Sequence, residues 1–162
     1  MRRASPALLA TALVICLAAI GAALVSQHVF DMQPCPWCVL QRVIFAAIAL
    51  ATLPGLLLRQ RGARLFSGGA MLLLAACGMA AALWQHFVAA SSVSCNMTLA
   101  DRIVSTLGLD SLAPQVFAAY ASCADAAVEL AGISYEFYSL ALYLLLAALA
   151  VKLLRSPLTS RV

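Results

Sequence analysis

Cys35-Pro36-Trp37-Cys38-Val39-Leu40-Gln41-Arg42-Val43-Ile44-Phe45 is the stretch on which the reading of this chain turns. Two thiols stand two residues apart, and an apolar helix opens directly behind them. Cysteines at this spacing close a small disulfide ring, and the thiolate of such a pair is the species that attacks a disulfide. A thiol at a helix start lies near the positive end of the helix dipole, and Arg42 adds a guanidinium one turn further on. Together they make the one preorganised anion site visible in the sequence.

Outward from this stretch the chain is 162 residues long, 65% hydrophobic and only 10% charged, with a mean hydropathy of +1.01. That excess of apolar surface excludes an ordinary soluble core and places the chain among membrane proteins. Apolar runs at about residues 7–26, 39–58, 65–84 and 137–154 are each long enough to cross a ~30 Å hydrocarbon core at ~1.5 Å per residue. The first follows a short basic start, as in a signal peptide, but exceeds the ~7–15 residues of a usual signal-peptide core. Pro54-Gly55 is expected to kink or loosen the second run. The expected fold is therefore all-α, a single four-transmembrane-helix bundle over residues 1–162 with two outer loops, 27–38 and 85–136. The second loop is long and partly helical. Thr98-Leu99-Ala100-Asp101 has capping-box spacing, Gly108 suits the end of that helix, and Pro114 suits the first turn of another, apolar enough over 114–120 to lie on the bilayer surface.

Charge orients the bundle. With the N-terminus inside, the inner segments hold Arg2, Arg3, Arg59, Arg61, Arg64, Lys152, Arg155 and Arg161 and no acid. The outer segments hold Arg42, Arg102 and all six acids, Asp31, Asp101, Asp110, Asp125, Glu129 and Glu136. This positive-inside pattern puts both termini in the cytoplasm, so the net charge of +4 reflects topology and gives no support for nucleic-acid binding.

The same topology sorts the six cysteines. Cys16 and Cys77 fall within spans and read as small buried hydrophobes. Cys35, Cys38, Cys95 and Cys123 fall on the outer side, where disulfides persist. Four cysteines allow three complete pairings, and the sequence alone does not choose among them. They could be static staples in a non-enzymatic four-span protein. Exchange is favoured, because a CxxC ring closes too small a loop to remove much chain entropy, and it sits beside an arginine at the mouth of an apolar bundle. A zinc site is disfavoured because Cys95 and Cys123 do not form a second close pair.

The order of these features resembles the bacterial disulfide bond formation protein B family. The resemblance rests on four spans, on CPWC-VLQR opening the second of them, on Cys95 and Cys123 in the second outer loop, and on Pro114-Gln115-Val116-Phe117 shortly before Cys123. It covers essentially the whole chain. The early CxxC separates it from the vitamin K epoxide reductase relatives, where that motif comes late. The resemblance implies a multi-pass protein of the bacterial inner membrane that reoxidises a periplasmic DsbA-like dithiol carrier and passes two electrons to a membrane quinone, ubiquinone by expectation. It implies disulfides Cys35–Cys38 and Cys95–Cys123, with Cys95 attacked by the carrier, Cys123 released to attack Cys35, and Cys38 left facing the quinone. Arg42 would hold the quinone carbonyl or the thiolate. The direction of electron flow rests on this resemblance, since a reductase would use the same residues. Gln41 departs from members that carry an acid before the arginine.

Other residues invite roles. His86, just past the third span, could reach a quinone, though an interfacial polar residue is the plainer reading; His28 has a weaker case. Arg42 itself could be an interfacial snorkeller. Trp84, Phe87, Tyr135, Phe137 and Tyr138 read as an outer aromatic belt, and Trp37 as packing over the disulfide ring.

Overall fold

The structure, a computed structural model, describes residues 4–58, 60–91, 97–126, 128–130 and 132–156. Four long helices cross the molecule: α1 (Ala4–Val29), α2 (Pro36–Leu57), α3 (Arg61–Phe87) and, at the C-terminal end, α7 (Tyr135–Arg155). Each is long and apolar enough to span a membrane. Their apolar residues face all round, as expected where the surroundings are lipid and every backbone group must be satisfied within the helix. The helices extend beyond the expected spans by one to four residues at most ends, because polar first and last turns still satisfy their backbone locally.

The second outer loop carries three short helices, α4 (Leu99–Thr106), α5 (Leu109–Leu112) and α6 (Pro114–Phe117). The capping box forms as its spacing predicts: the Asp101 N–H donates to Thr98 Oγ1 at 3.2 Å, and the Thr98 N–H donates to Asp101 Oδ2 at 2.8 Å. Gly108 ends this helix region with φ +65°, a conformation costly for other residues. The surface helix expected over 114–120 is a single turn that stops at Phe117, and its carbonyls are engaged by the bundle, as described below. The loop also holds a small hairpin that the sequence reading lacked, β1 (Glu129–Leu130) antiparallel to β2 (Ile133–Ser134). The expected loosening at Pro54 takes a specific form. The helix continues through it, and the Gly55 N–H donates to Ser67 Oγ of α3 at 3.0 Å.

α1 packs on α2, α2 on α3 and α3 on α7, whereas α1 and α7 touch far less. With no hydrophobic drive between helices in lipid, such contacts depend on close packing of small residues. Gly78 is the tightest example. A Cβ there would stand 2.4 Å from the Tyr143 ring, which stacks on Phe45 at 4.3 Å and donates its hydroxyl to the Gln41 carbonyl at 2.9 Å. Gly78→Ala should therefore lower stability by about 1–3 kcal/mol, an overpacking cost. Thermal unfolding in detergent checks it, and Tyr143→Leu should relieve most of the loss if the clash is the cause.

Four basic residues of the spans gather at one end of this bundle. Arg61 and Arg64 open α3, Lys152 and Arg155 close α7, and the Arg64 guanidinium reaches the Ser156 carbonyl at 3.1 Å. Cys35 and the α4–α6 segment lie at the opposite end.

Candidate functional site

Cys35 is the N-cap of α2. Its sulfur accepts the Cys38 N–H at 3.2 Å, and Pro36 occupies the first helical position, where no N–H is needed. The helix thus begins three residues earlier than expected, and Cys38 falls inside its first turn. Cys35 and Cys38 stand as free thiols with their sulfurs 2.7 Å apart. Cys35 is fully buried.

The loop brings a third sulfur to this pair. The N–H groups of Tyr120 and Ala121 donate to the Pro34 carbonyl at 3.0 and 3.3 Å, clamping the chain just before Cys123 to the residue just before Cys35. Cys123 consequently lies within hydrogen-bonding reach of Cys35 and accepts the backbone N–H of Trp37. The hydrogen bond with Cys35 holds Cys123 below the usual thiol range, and the Trp37 N–H acts in the same direction against the opposing effect of burial. Cys35 is pushed strongly up, first by its hydrogen bond to Cys123, then by the one to Cys38 and by burial. Of the two thiols in this contact, Cys35 is therefore the harder to deprotonate and Cys123 the easier. Cys95 lies outside the described residues.

Arg42 is 6% exposed, so it is no snorkeller. Its Nη1 donates to Gln27 Oε1 at 2.6 Å and to the Val116 carbonyl at 3.0 Å, and its Nη2 donates to the Ala23 carbonyl at 3.3 Å. One guanidinium thus ties α1 and α6 to α2. Gln27 also donates to the Gln115 carbonyl at 3.3 Å. No carboxylate pairs with Arg42 among the described residues. A buried cation held only by neutral acceptors keeps most of its attraction for an incoming anion or carbonyl oxygen.

Two cavities share Cys38 and Arg42 in their walls. One, about 340 Å³, opens toward the loops past Asp31 and Asp125. The other, about 420 Å³, lies in the cleft between α1 and α7 and is lined by Ala19, Ala22 and Ala23 on one side and by Phe45 and Leu142 on others. Its size falls within the ~300–1,000 Å³ of small-molecule sites, and its make-up is theirs, apolar with a few convergent polar groups. A larger groove, about 960 Å³, lies between α2 and α3 and meets Cys123 but neither Cys38 nor Arg42. The smaller pair is the better candidate for redox chemistry because the helix thiol opens into it.

Gln41 and Gln85 form the polar floor, and neither was singled out for this role from the sequence. Gln41 Nε2 donates to Gln85 Oε1 at 2.8 Å, and Gln85 Nε2 donates to the Cys38 sulfur at 3.3 Å. Gln27 was missed as well. All three are glutamines inside helices, which carry no motif.

His86 lines neither of these two cavities. Its Nδ1 lies 2.7 Å from Glu136 Oε1, and its ring packs against Phe87 and Phe137. It thus joins α3 to α7 and reaches the cleft only through Glu136, which does line it. Trp84 and Phe87 are exposed, in keeping with an aromatic belt. Trp37 is buried, with its ring tilted against Trp84 at 6.2 Å. Cys16 is buried as expected, but Cys77 is exposed, a correction. Ala75 and Gly78 turn inward on α3, and at ~100° per residue Cys77 falls on the outer side, where it lines the larger groove.

Fold and site together define a four-span membrane protein that holds a CxxC dithiol at a helix start with a loop thiol against it. The family described as disulfide bond formation protein DsbB matches residues 5–153, and the chain belongs to that family. Similar proteins include disulfide bond formation protein B of Herminiimonas arsenicoxydans, 33% identical over 149 residues, which cover 91% of this chain and 92% of that one. Disulfide bond formation protein B 1 of Pseudomonas syringae pv. syringae is 34% identical over 84% of this chain and 81% of its own. The Cupriavidus metallidurans protein of the B type is 31% identical over 88% of each chain.

Proposed function

We propose that this protein generates disulfides by oxidising a periplasmic, thioredoxin-like dithiol carrier of the DsbA kind and delivering the electrons to a membrane quinone, ubiquinone in the simplest case. It would lie in the bacterial inner membrane with its basic end, and so both termini, in the cytoplasm. The observation that carries the reading is the position of Cys35, with the loop thiol Cys123 on one side and Cys38, open to the Arg42 cavity, on the other.

The chemistry balances as a series of exchanges. A carrier thiolate attacks Cys95 of a Cys95–Cys123 disulfide, forming a mixed disulfide and releasing Cys123 as a thiolate. Cys123 attacks Cys35, the Cys35–Cys38 bond breaks, and the electron pair goes to Cys38. The carrier's second thiolate then displaces Cys95, and the carrier leaves oxidised. Cys95 attacks Cys123, which restores their disulfide and frees Cys35. Cys35 and Cys38 finally close again with loss of two electrons. A quinone bound in the cleft supplies the acceptor for those two electrons and two protons. Arg42 would orient it through a carbonyl oxygen, the alanines of α1 leave it room, and Phe45 and Leu142 keep the cleft dry.

Membrane vesicles of the two orientations test the whole reading. Right-side-out vesicles given a reduced carrier that cannot cross the bilayer should reduce their quinone, and inverted vesicles should not. Inertness of both would leave a stapled, non-enzymatic protein, and activity of the inverted vesicles alone would reverse the topology.

A further inference from the structure

Gln85 is 6% exposed and projects from α3 at the Cys38 sulfur, 47 residues away in sequence. A thiolate can only accept hydrogen bonds, so a useful neighbour must present a donor. A glutamine side chain has a donor end and an acceptor end. Which end faces the sulfur is settled by Gln41, whose Nε2 occupies the Gln85 carbonyl oxygen. Gln41 is itself fixed, buried on α2 with its main-chain carbonyl accepting the Tyr143 hydroxyl of α7. The two amides thus form a chain from α2 through α3 to the sulfur, in which Gln85 turns its donor to Cys38.

We propose that Gln85 is a positioning residue for Cys38, oriented by Gln41, and that this uncharged pair sets the pH at which Cys38 is available as a thiolate. The inference rests on the redox role proposed above. Arg42 is the obvious candidate for the same task, yet the hydrogen bonds it makes among the described residues go to Gln27, Val116 and Ala23, not to the Cys38 sulfur. Gln85 donates to the sulfur itself. Two amides also suit this position better than carboxylates. An ionised carboxylate at 85 would offer no donor and would repel the charge that Cys38 acquires when Cys35 is attacked.

Other ionisable groups surround Cys38, and all but Cys35, which is alanine throughout the test, remain in place in every variant below. Cys35 and Arg42 stand on its own side, and Cys123 comes from the loop. Asp31 and Asp125 line the outer cavity. Tyr135 and Glu136 face the cleft from α7, and His86 of α3 is held by Glu136. Differences between variants therefore report the amide pair.

The test is the pH profile of Cys38 alkylation by iodoacetamide, read by mass spectrometry on the full-length protein in detergent, in a Cys35→Ala background that leaves Cys38 unpaired. Loss of a hydrogen bond to a charged group should slow alkylation at neutral pH by about tenfold in Gln85→Met and move the profile to higher pH. Gln85→Glu should move it further in the same direction. Gln41→Met, which frees Gln85 to turn, should give a smaller displacement of the same sign, and it carries the test if a substitution at 85 prevents folding. A profile unmoved in Gln85→Met or in Gln41→Met overturns the inference. Quinone reduction by the unmutated protein is measured alongside. If it is present while the profiles coincide, only the role of Gln85 fails; if it is absent while the profiles separate, only the redox function fails.

Discussion

Cys123→Ser should abolish oxidation of the protein carrier, to below about one part in a thousand of the unmutated rate, because Cys123 is the one loop thiol within reach of Cys35 among the described residues and the thiolate is the only competent nucleophile. The same variant should still reoxidise Cys35 and Cys38 with quinone after chemical reduction, since that step uses groups on α2 and the cleft alone. Cys38→Ser should lose both. Trapping of the thiol states, with quinone absorbance followed in parallel, separates the outcomes. Loss of reoxidation in Cys123→Ser as complete as in Cys38→Ser would show that the two pairs do not work as separate stages. The pH dependence has a definite sign. The Cys35 hydrogen bond holds Cys123 below the ordinary thiol range, so its thiolate is populated at lower pH than a free cysteine's. With the thiols reduced, alkylation of Cys123 should therefore begin to fail only as pH falls below that ordinary range, through the depressed value. Removing the Cys35 hydrogen by Cys35→Ala should move the loss of Cys123 reactivity to higher pH.

The span count, the helix that opens at the CxxC and the capped helix after Thr98 were all legible because each is a local pattern: an apolar run, a thiol spacing, a Thr-x-x-Asp. The clamp that makes Cys123 a neighbour of Cys35 was not legible. It is built from two backbone N–H groups and the Pro34 carbonyl, and backbone contacts leave no mark in side-chain sequence. Arg42 illustrates the intermediate case. Its distance from Cys38 foretold a shared face, but its burial depends on acceptors from Ala23, Gln27 and Val116, two of them again main-chain oxygens. The short apolar turn after Pro114 was read as a membrane-surface helix from its composition, whereas its carbonyls serve as ligands for Arg42 and Gln27. Cys77 was misjudged for a related reason. In a helix that is apolar all round, hydrophobicity does not tell the packed face from the lipid face.

Arg42→Ala should raise the apparent KM for quinone by about tenfold or more, because a charge-assisted hydrogen bond is worth roughly 1.5–3 kcal/mol and about 1.4 kcal/mol is tenfold. Arg42→Lys keeps the charge but not the planar fork. A lysine ammonium in that place can satisfy Gln27 or Val116 but cannot also hold Ala23 and present a free edge to the cleft, so its KM should rise moderately, by about threefold. The position of Arg42 also adds an expectation that a surface arginine would not. Since it ties α6 to α2 through Val116, its loss loosens the segment that leads to Cys123. Carrier oxidation under saturating quinone should therefore fall somewhat in Arg42→Ala, by about two- to threefold, and recover in Arg42→Lys, which retains one donor for that carbonyl. Steady-state titrations of quinone and of carrier on the two variants distinguish the roles. A raised quinone KM with carrier kinetics unchanged in both would make Arg42 a ligand for the acceptor alone. Equal losses on both sides would make it a structural tie. An unaltered KM and kcat in Arg42→Ala would remove it from the chemistry altogether.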